Sequence, residues 1–259
     1  MNRELFQSRA AGLVAFAAVA VCIAGFAVMH LTQSDVVNPV ATPVSSYALT
    51  FPGIVLFPLS CLSLALACTI LAGRSFGLAR EGFIRFLLGA TAVMLVFAAA
   101  FRTGTPETGL TWGAQIHRYT AGAAFVLLTV VAVLCAAQMR AAGTPDVVRR
   151  ATWWAAALAS LTFATTTVNT FLPRIADGGD WRGIPQRVLL VVLAGLVLAL
   201  ISGSQPTAAP VPAPVRVPAR AAMAMAASRR PARMASPVAS SVALSRESIR
   251  RPALAVSES

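Results

Sequence analysis

The sequence predicts an all-α fold, in which a bundle of six transmembrane helices is followed by a disordered C-terminal tail. Residues of the set AVILMFWYC make up 57% of the 259 residues, charged residues only 12%, and the mean hydropathy is +0.74. Soluble domains carry about 25% charged residues, so this chain has too little charge to cover a surface that faces water. Six stretches are apolar over about 20 residues, the length that crosses a hydrocarbon core of about 30 Å.

The six predicted spans cover residues 10–31, 51–73, 83–101, 119–139, 151–172 and 184–202. They form a membrane domain over residues 10–203, after a short cytoplasmic N-terminus over residues 1–9. The first span follows Arg3 and Arg9, as the core of a secretory signal would. Its apolar run is longer than the 7–15 residues of a signal core, so we expect a retained helix.

The basic residues predict the orientation of the spans. All 21 are Arg, and only 9 acidic residues oppose them. They lie between apolar runs and in the tail, a placement that favours membrane orientation over nucleic-acid binding. With both termini in the cytoplasm, 16 Arg lie inside and five outside, which are Arg102, Arg118, Arg174, Arg182 and Arg187. We therefore expect a protein of the inner (cytoplasmic) membrane with cytoplasmic termini.

Residues 204–259 differ in composition from the membrane domain. They hold 8 of the 16 prolines and no aromatic residue, which predicts a disordered cytoplasmic tail. The basic stretch Arg216–Ser236 is expected to lie on anionic lipids, since each Arg near such a surface contributes about 1 kcal/mol of attraction.

The four cysteines all fall within apolar runs, with no spacing typical of zinc sites or paired thiols; they are Cys22, Cys61, Cys68 and Cys135. They are interpreted as small core residues.

Polar residues collect in the three predicted outer loops and at the outer end of the fifth span. The candidate catalytic residues are His117, Asp35, Ser45, Ser46 and Tyr47. The candidate substrate-binding residues are Arg102, Arg118, Arg187 and Asn169. A base, an acid and a hydroxyl can activate a nucleophile, and Arg can hold a phosphate by two parallel hydrogen bonds. This set predicts a hydrolase that acts on a lipid or lipid-linked substrate at the outer face.

Other functions stay open at this stage. The same polar residues can cap helix ends in a non-enzymatic protein with a sensing or assembly role, which is our first interpretation. His30 and His117 at one membrane face are a possible pair of haem or metal ligands, with Asp35 as a third, although no cofactor is predicted. The spans have charged residues only near their ends, such as Arg85, which disfavours an ion-coupled transporter.

Short motifs at the span ends resemble a known family. They are residues 38–47 (NPVATPVSSY), residues 101–106 (FRTGTP), His117 ahead of the fourth span, and residues 183–187 (GIPQR). Their order is similar to that in the bacterial six-helix membrane family called domain of unknown function 998, over residues 13–201. Ser45, Ser46, Tyr47 and His117 match the family's positions, whereas Arg102 and Gly104 stand where the family more often has Pro and Asp. The resemblance implies a six-helix membrane fold and no particular activity.

Overall fold

The structure, a computed structural model, describes residues 6, 8–104, 111–139, 146–172 and 181–204. Its long helices are α1 Arg9–Gln33, α2 Gly53–Ala72, α3 Glu81–Ala100, α4 Trp112–Met139, α5 Asp146–Phe171 and α6 Gly183–Gly203. A 3-10 helix, Val44–Leu49, lies between α1 and α2. The described residues contain no β-strand, and the predicted all-α fold is confirmed.

Five of the six long helices, all except α5, are long and apolar enough to cross a membrane. Helix α5 is as long as the others but is less apolar, because Thr, Ser and Trp interrupt its apolar residues. Large apolar side chains such as Leu13, Phe86 and Val191 are more than two-thirds exposed on the outer surface of the bundle. Lipid tails cover such a surface without cost, so the chain is an integral membrane protein with several spans.

Each helix packs against the next one in the chain, and α6 also packs against α1, which closes the bundle. In this up-and-down arrangement, α1, α3 and α5 finish at the end of the bundle where α2, α4 and α6 begin. We call this end the loop end, because it carries the α1–α2 connection, residues 34–52, which we call the cap segment. The opposite end, which holds Ser8 and Ser204, is the terminal end.

Small residues let α1 and α2 approach closely. Gly25 of α1 faces Ser60 of α2 so closely that a Cβ atom there would require the Ser60 hydroxyl to move. Ala15, Ala18 and Cys22 continue the same buried side of α1. Helices in lipid associate through such close van der Waals contact, since lipid tails are as apolar as the side chains. All four cysteines are buried and free, as predicted.

Arg74 makes hydrogen bonds to both ends of the bundle's chain at the terminal end. Its side chain is only 3% exposed, and it follows α2 directly. Its Nε donates to Ser204 Oγ at 2.7 Å and its NH2 group to the Ser204 carbonyl at 3.2 Å. Its NH1 group donates to the carbonyls of Phe6 at 3.2 Å and Ser8 at 3.1 Å. Burial lowers the pKa of Arg74 from its ordinary value, and the four acceptors stabilise its charge.

Two helices begin earlier than predicted. Helix α4 starts at Trp112 rather than residue 119, and α5 starts at Asp146 rather than residue 151. A prediction from hydropathy assigns polar residues to the loops outside a span. Such residues can still be part of the helix when their side chains find hydrogen-bond partners. His117 is the clearest case, since its ring bonds to carbonyls at the end of α3. Residues 1–5 and 7 of the predicted N-terminus and residues 205–259 of the predicted tail lie outside the described residues.

Candidate functional site: the loop-end cavity

A cavity of about 890 Å³ occupies the loop-end half of the bundle. Residues from all six helices line it, and the cap segment contributes to its walls at the loop end. Ligand sites in proteins usually have volumes of about 300–1,000 Å³, so this space is large enough for a small molecule or for part of a lipid.

The cap segment is packed rather than loosely attached. Val44, Tyr47 and Ala48 of the 3-10 helix are buried against α1 and α2. Gly53, the first residue of α2, allows this contact, because a Cβ atom there would lie 1.8 Å from the Tyr47 carbonyl oxygen. Gln33 at the end of α1 donates to the Thr50 carbonyl at 3.3 Å. The cap segment therefore has one defined position over the cavity.

The start of α6 holds the other side of the cap segment. The Gly183 N–H donates to the Val40 carbonyl at 2.8 Å, and Arg182 Nε donates to the Ala41 carbonyl at 3.2 Å. Gln186 Oε1 accepts from the Val44 N–H at 2.8 Å. Arg182 and Gln186 are four residues apart, so they lie on one side of the helix.

Arg187, Tyr47 and His30 form a chain of hydrogen bonds beside the cavity. Arg187 NH2 donates to Tyr47 Oη at 2.9 Å, and its NH1 group donates to the carbonyls of Thr42 and Gly183, both at 3.0 Å. Tyr47 Oη lies 2.9 Å from His30 Nδ1. Because the Tyr47 oxygen accepts from Arg187, its own proton is available to His30. This network fixes the cap segment, and Tyr47 is only 1% exposed within it.

His117 is held at the wall of the cavity by α3. Its Nδ1 lies 2.9 Å from both the Ala98 and the Phe101 carbonyl oxygens. Carbonyl oxygens only accept, so Nδ1 carries the proton and donates to both. Nε2 is buried and has no hydrogen-bond partner among the described residues, and the Phe57 ring lies 5.7 Å from the imidazole, centroid to centroid. His117 thus connects the end of α3 to α4.

The hydroxyls at the polar end of α5 bond mostly within their own helix. The hydroxyls of Thr162, Thr166 and Thr167 donate to carbonyls four residues earlier in α5 itself. Such bonds inside one helix satisfy a hydroxyl in lipid without a partner helix. Asn169 is 1% exposed, and neither of its side-chain polar atoms has a hydrogen-bond partner in the part of the chain that the structure describes. Nothing in the described residues explains this buried amide.

The cavity is polar at the loop end and apolar deeper in the bundle. Arg118, Arg182, Gln186 and the serines 45 and 46 line the outer part. Most deeper lining residues are apolar, with Ser60 as an exception, and they come from every helix; they include Phe26, Leu64, Leu95, Leu128, Phe163, Leu190 and Leu193. This gradient matches a molecule with a polar head and an apolar chain.

The cavity also opens on the side of the bundle. Tyr119 and Val126 of α4 line it, although they are 65% and 40% exposed on the outer surface. Gly122 lies between them in sequence, and a Cβ atom there would meet no atom within 4 Å. Thr166, Thr167 and Thr170 of α5 line the same space. In a membrane, this side opening faces lipid.

The predicted catalytic residues do not form one hydrogen-bonded group. Among the described residues, none of the hydrogen bonds of His117 reaches Asp35, Ser45, Ser46 or Tyr47. Tyr47 pairs with His30 instead. Asp35 is exposed and does not line the cavity, whereas Ser45 and Ser46 do. His117 bonds instead to the end of α3, because its Nδ1 donates to the Ala98 and Phe101 carbonyls.

The predicted substrate-binding residues are also separated. Arg118 lines the cavity and donates through NH2 to the Thr170 carbonyl of α5 at 3.1 Å. Arg187 is occupied by the cap segment, and Arg102 is exposed. Sequence reasoning missed Arg182 and Gln186 as cavity residues. These two polar residues are four positions apart at the start of an apolar helix, and this spacing indicates that they lie on the same side of the helix.

The described residues contain no group of three or more His, Cys, Asp or Glu that could hold a metal ion. His30 is exposed and bonded to Tyr47, and His117 is buried in the bundle. The two rings therefore have separate surroundings.

A family model described as "Protein of unknown function (DUF998)" matches residues 16–203, which is more than half of the chain. No curated protein and no solved structure matches the sequence. The matched residues include most of α1, all the later helices, the cap segment and the cavity.

Proposed function

The chain belongs to the DUF998 family, and since that family is described only as being of unknown function, we propose a function from the geometry of this chain. We propose that it is a non-enzymatic membrane protein that binds an amphiphilic molecule in the loop-end cavity, in a sensing or assembly role. One observation carries this proposal: the cavity is lined by the cap segment and by all six helices, is polar at the loop end and is mostly apolar deeper in the bundle.

The side opening supports a ligand that comes from the bilayer. Exposed Tyr119 and buried Leu128 line the same cavity, so the space connects the lipid-facing surface of α4 with the centre of the bundle. An apolar chain that moves along this route exchanges lipid contacts for side-chain contacts and exposes little apolar surface to water. The hydroxyls of Thr166 and Thr167 along the route are already bonded to carbonyls of α5, so these two groups need no new partner when an apolar chain passes.

A binding role fits the polar residues better than catalysis. A nucleophile and its base need to lie within about 2.6–3.2 Å of each other, or to be joined by one water. No such contact joins His117 to a serine or an acid among the described residues. The hydrogen bonds of Tyr47 and Arg187 instead hold the cap segment in position.

We place the loop end on the outer side of the inner membrane, with both termini in the cytoplasm. The unequal distribution of Arg supports this orientation. A fluorescent protein that matures only in the cytoplasm, fused after Ser204, is expected to be bright, and a periplasm-dependent phosphatase fused there to be inactive. The reverse pattern would invert the orientation. The tail segment Arg216–Ser236 is proposed to contact anionic lipids on the same cytoplasmic side.

Filling the side opening tests the binding function. In Gly122→Trp, the indole would occupy the open space beside α4, so we expect the fraction of purified protein that retains one lipid to fall at least fivefold. The measurement is native mass spectrometry after extraction from a bacterial polar lipid extract into a mild detergent. Gly195→Trp on α6 is the matched control, because Gly195 is exposed, has equally open surroundings and does not line the cavity. Equal lipid retention by Gly122→Trp and wild type would contradict the proposal.

A further inference from the structure

We infer that the cavity selects an anionic amphiphile, one whose head is a carboxylate or a phosphate held at the loop end. This inference rests on the proposed function, because it assigns the head group of the same ligand. Arg118 and Arg182 are the charged residues among the described lining, which contains no Asp or Glu. A cleft with charges of one sign and apolar walls concentrates the field of those charges, and it therefore favours an anion.

Arg182 has donors available for that anion. Its Nε is used by the Ala41 carbonyl, which fixes the direction of the guanidinium at the start of α6. Its two terminal nitrogens have no hydrogen-bond partner among the described residues, and the side chain is half-buried. The terminal N–H groups of Arg match two oxygens of a carboxylate or phosphate in a planar, two-bond geometry.

Two serines complete the polar end. Ser45 and Ser46 line the cavity, are half-buried, and their hydroxyls make no hydrogen bond to a described group. Gln186 lies one turn after Arg182 and binds the Val44 N–H at 2.8 Å, which places Ser45 next to this side of α6. Hydroxyl donors beside a guanidinium provide further bonds to an oxyanion. Neutral heads lose the Arg interaction, and cationic heads are repelled by it.

The test compares three amphiphiles that share one oleoyl chain: oleate, 1-oleoyl lysophosphatidic acid and uncharged 1-oleoylglycerol. Saturable binding of each to the full chain in nonionic detergent is measured by microscale thermophoresis. We expect at least one of the anionic compounds to bind tenfold or more tightly than 1-oleoylglycerol. The preferred one of the two identifies the head as carboxylate or phosphate.

Arg182→Gln is expected to remove most of this preference, and to leave the affinity for 1-oleoylglycerol within about twofold of wild type. Arg182→Lys keeps the charge but loses the two-bond geometry, so it should retain part of the preference. The matched control is Arg80→Gln, which removes an exposed Arg at the terminal end. If Arg182→Gln folds poorly, the double variant Ser45→Ala, Ser46→Ala is expected to weaken anion binding at least threefold.

Two results would overturn the inference in distinguishable ways. If the three amphiphiles bind with equal affinity and Gly122→Trp binds none of them, the cavity remains a binding site but the preference for an anionic head is rejected. Absence of saturable binding by all three would reject the proposed function itself.

Discussion

Gly53→Ala is expected to release the cap segment and to reduce sharply the yield of folded protein. The added Cβ would lie 1.8 Å from the Tyr47 carbonyl oxygen and 2.6 Å from its carbonyl carbon, which are backbone atoms that cannot rotate away. Either the 3-10 helix or the start of α2 must move, and such overpacking costs about 1–3 kcal/mol or more. Because Tyr47 carries the bonds to Arg187 and His30, this displacement also breaks the network that holds the cap segment beside the cavity.

Thermal stability measured by size-exclusion chromatography of the detergent-solubilised protein checks this prediction. Gly82→Ala is the matched control, since Gly82 lies exposed in the first turn of α3 and a Cβ atom there meets nothing within 4 Å. In that position alanine favours the helix by about 0.5–1 kcal/mol, so the control should be as stable as wild type or slightly more so. An unchanged midpoint in Gly53→Ala would show that the close contact with Tyr47 does not exist.

Arg74→Ala is expected to cause the other large loss, at the terminal end. The change removes four hydrogen bonds and leaves the carbonyls of Phe6, Ser8 and Ser204 without that donor. Bonds to a charged group contribute about 1.5–3 kcal/mol each and are not additive, so we expect a loss of about 3 kcal/mol or more. The same thermal assay should show a marked fall in the midpoint, and Arg80→Ala, an exposed Arg in the same connection, should show none.

Amphiphile binding separates the two variants. Arg74 lies at the opposite end from the cavity, so the surviving folded fraction of Arg74→Ala should bind ligand as wild type does. Gly53→Ala should lose binding along with stability, because the cap segment lines the cavity. Equal stability of Arg74→Ala and Arg80→Ala would mean that the bonds of Arg74 do not hold the two chain ends together.

The spans could be predicted from the sequence because the bilayer imposes a length and an apolar composition on each helix. Four of the six predicted spans agree with the helices within about two residues at both ends. The larger errors, at the starts of α4 and α5, concern polar residues that remain helical. Hydropathy reports the polarity of a residue but not whether a carbonyl of another helix, such as that of Ala98, accepts its proton.

The site was less predictable, because its residues meet only through tertiary packing. The sequence drew attention to His117, Ser45, Ser46 and Arg118, which all line the cavity. It did not indicate that Tyr47 pairs with His30 and Arg187, since these residues come from three separate segments. The cavity itself is the space left between six packed helices, and no local pattern of residues predicts that space.

The most direct test of amphiphile binding is to locate a bound amphiphile on the protein. A fatty acid with a diazirine group at the middle of its chain is irradiated with the full-length protein in lipid nanodiscs, and the cross-linked residues are identified by mass spectrometry. We expect cross-links at deep cavity residues such as Phe125, Phe163 and Leu190. Excess oleate should prevent these cross-links by competing with the probe, and the Gly122→Trp variant should not form them. Cross-links confined to outward residues such as Phe86 and Val191, unaffected by oleate or by Gly122→Trp, would contradict a ligand in the cavity.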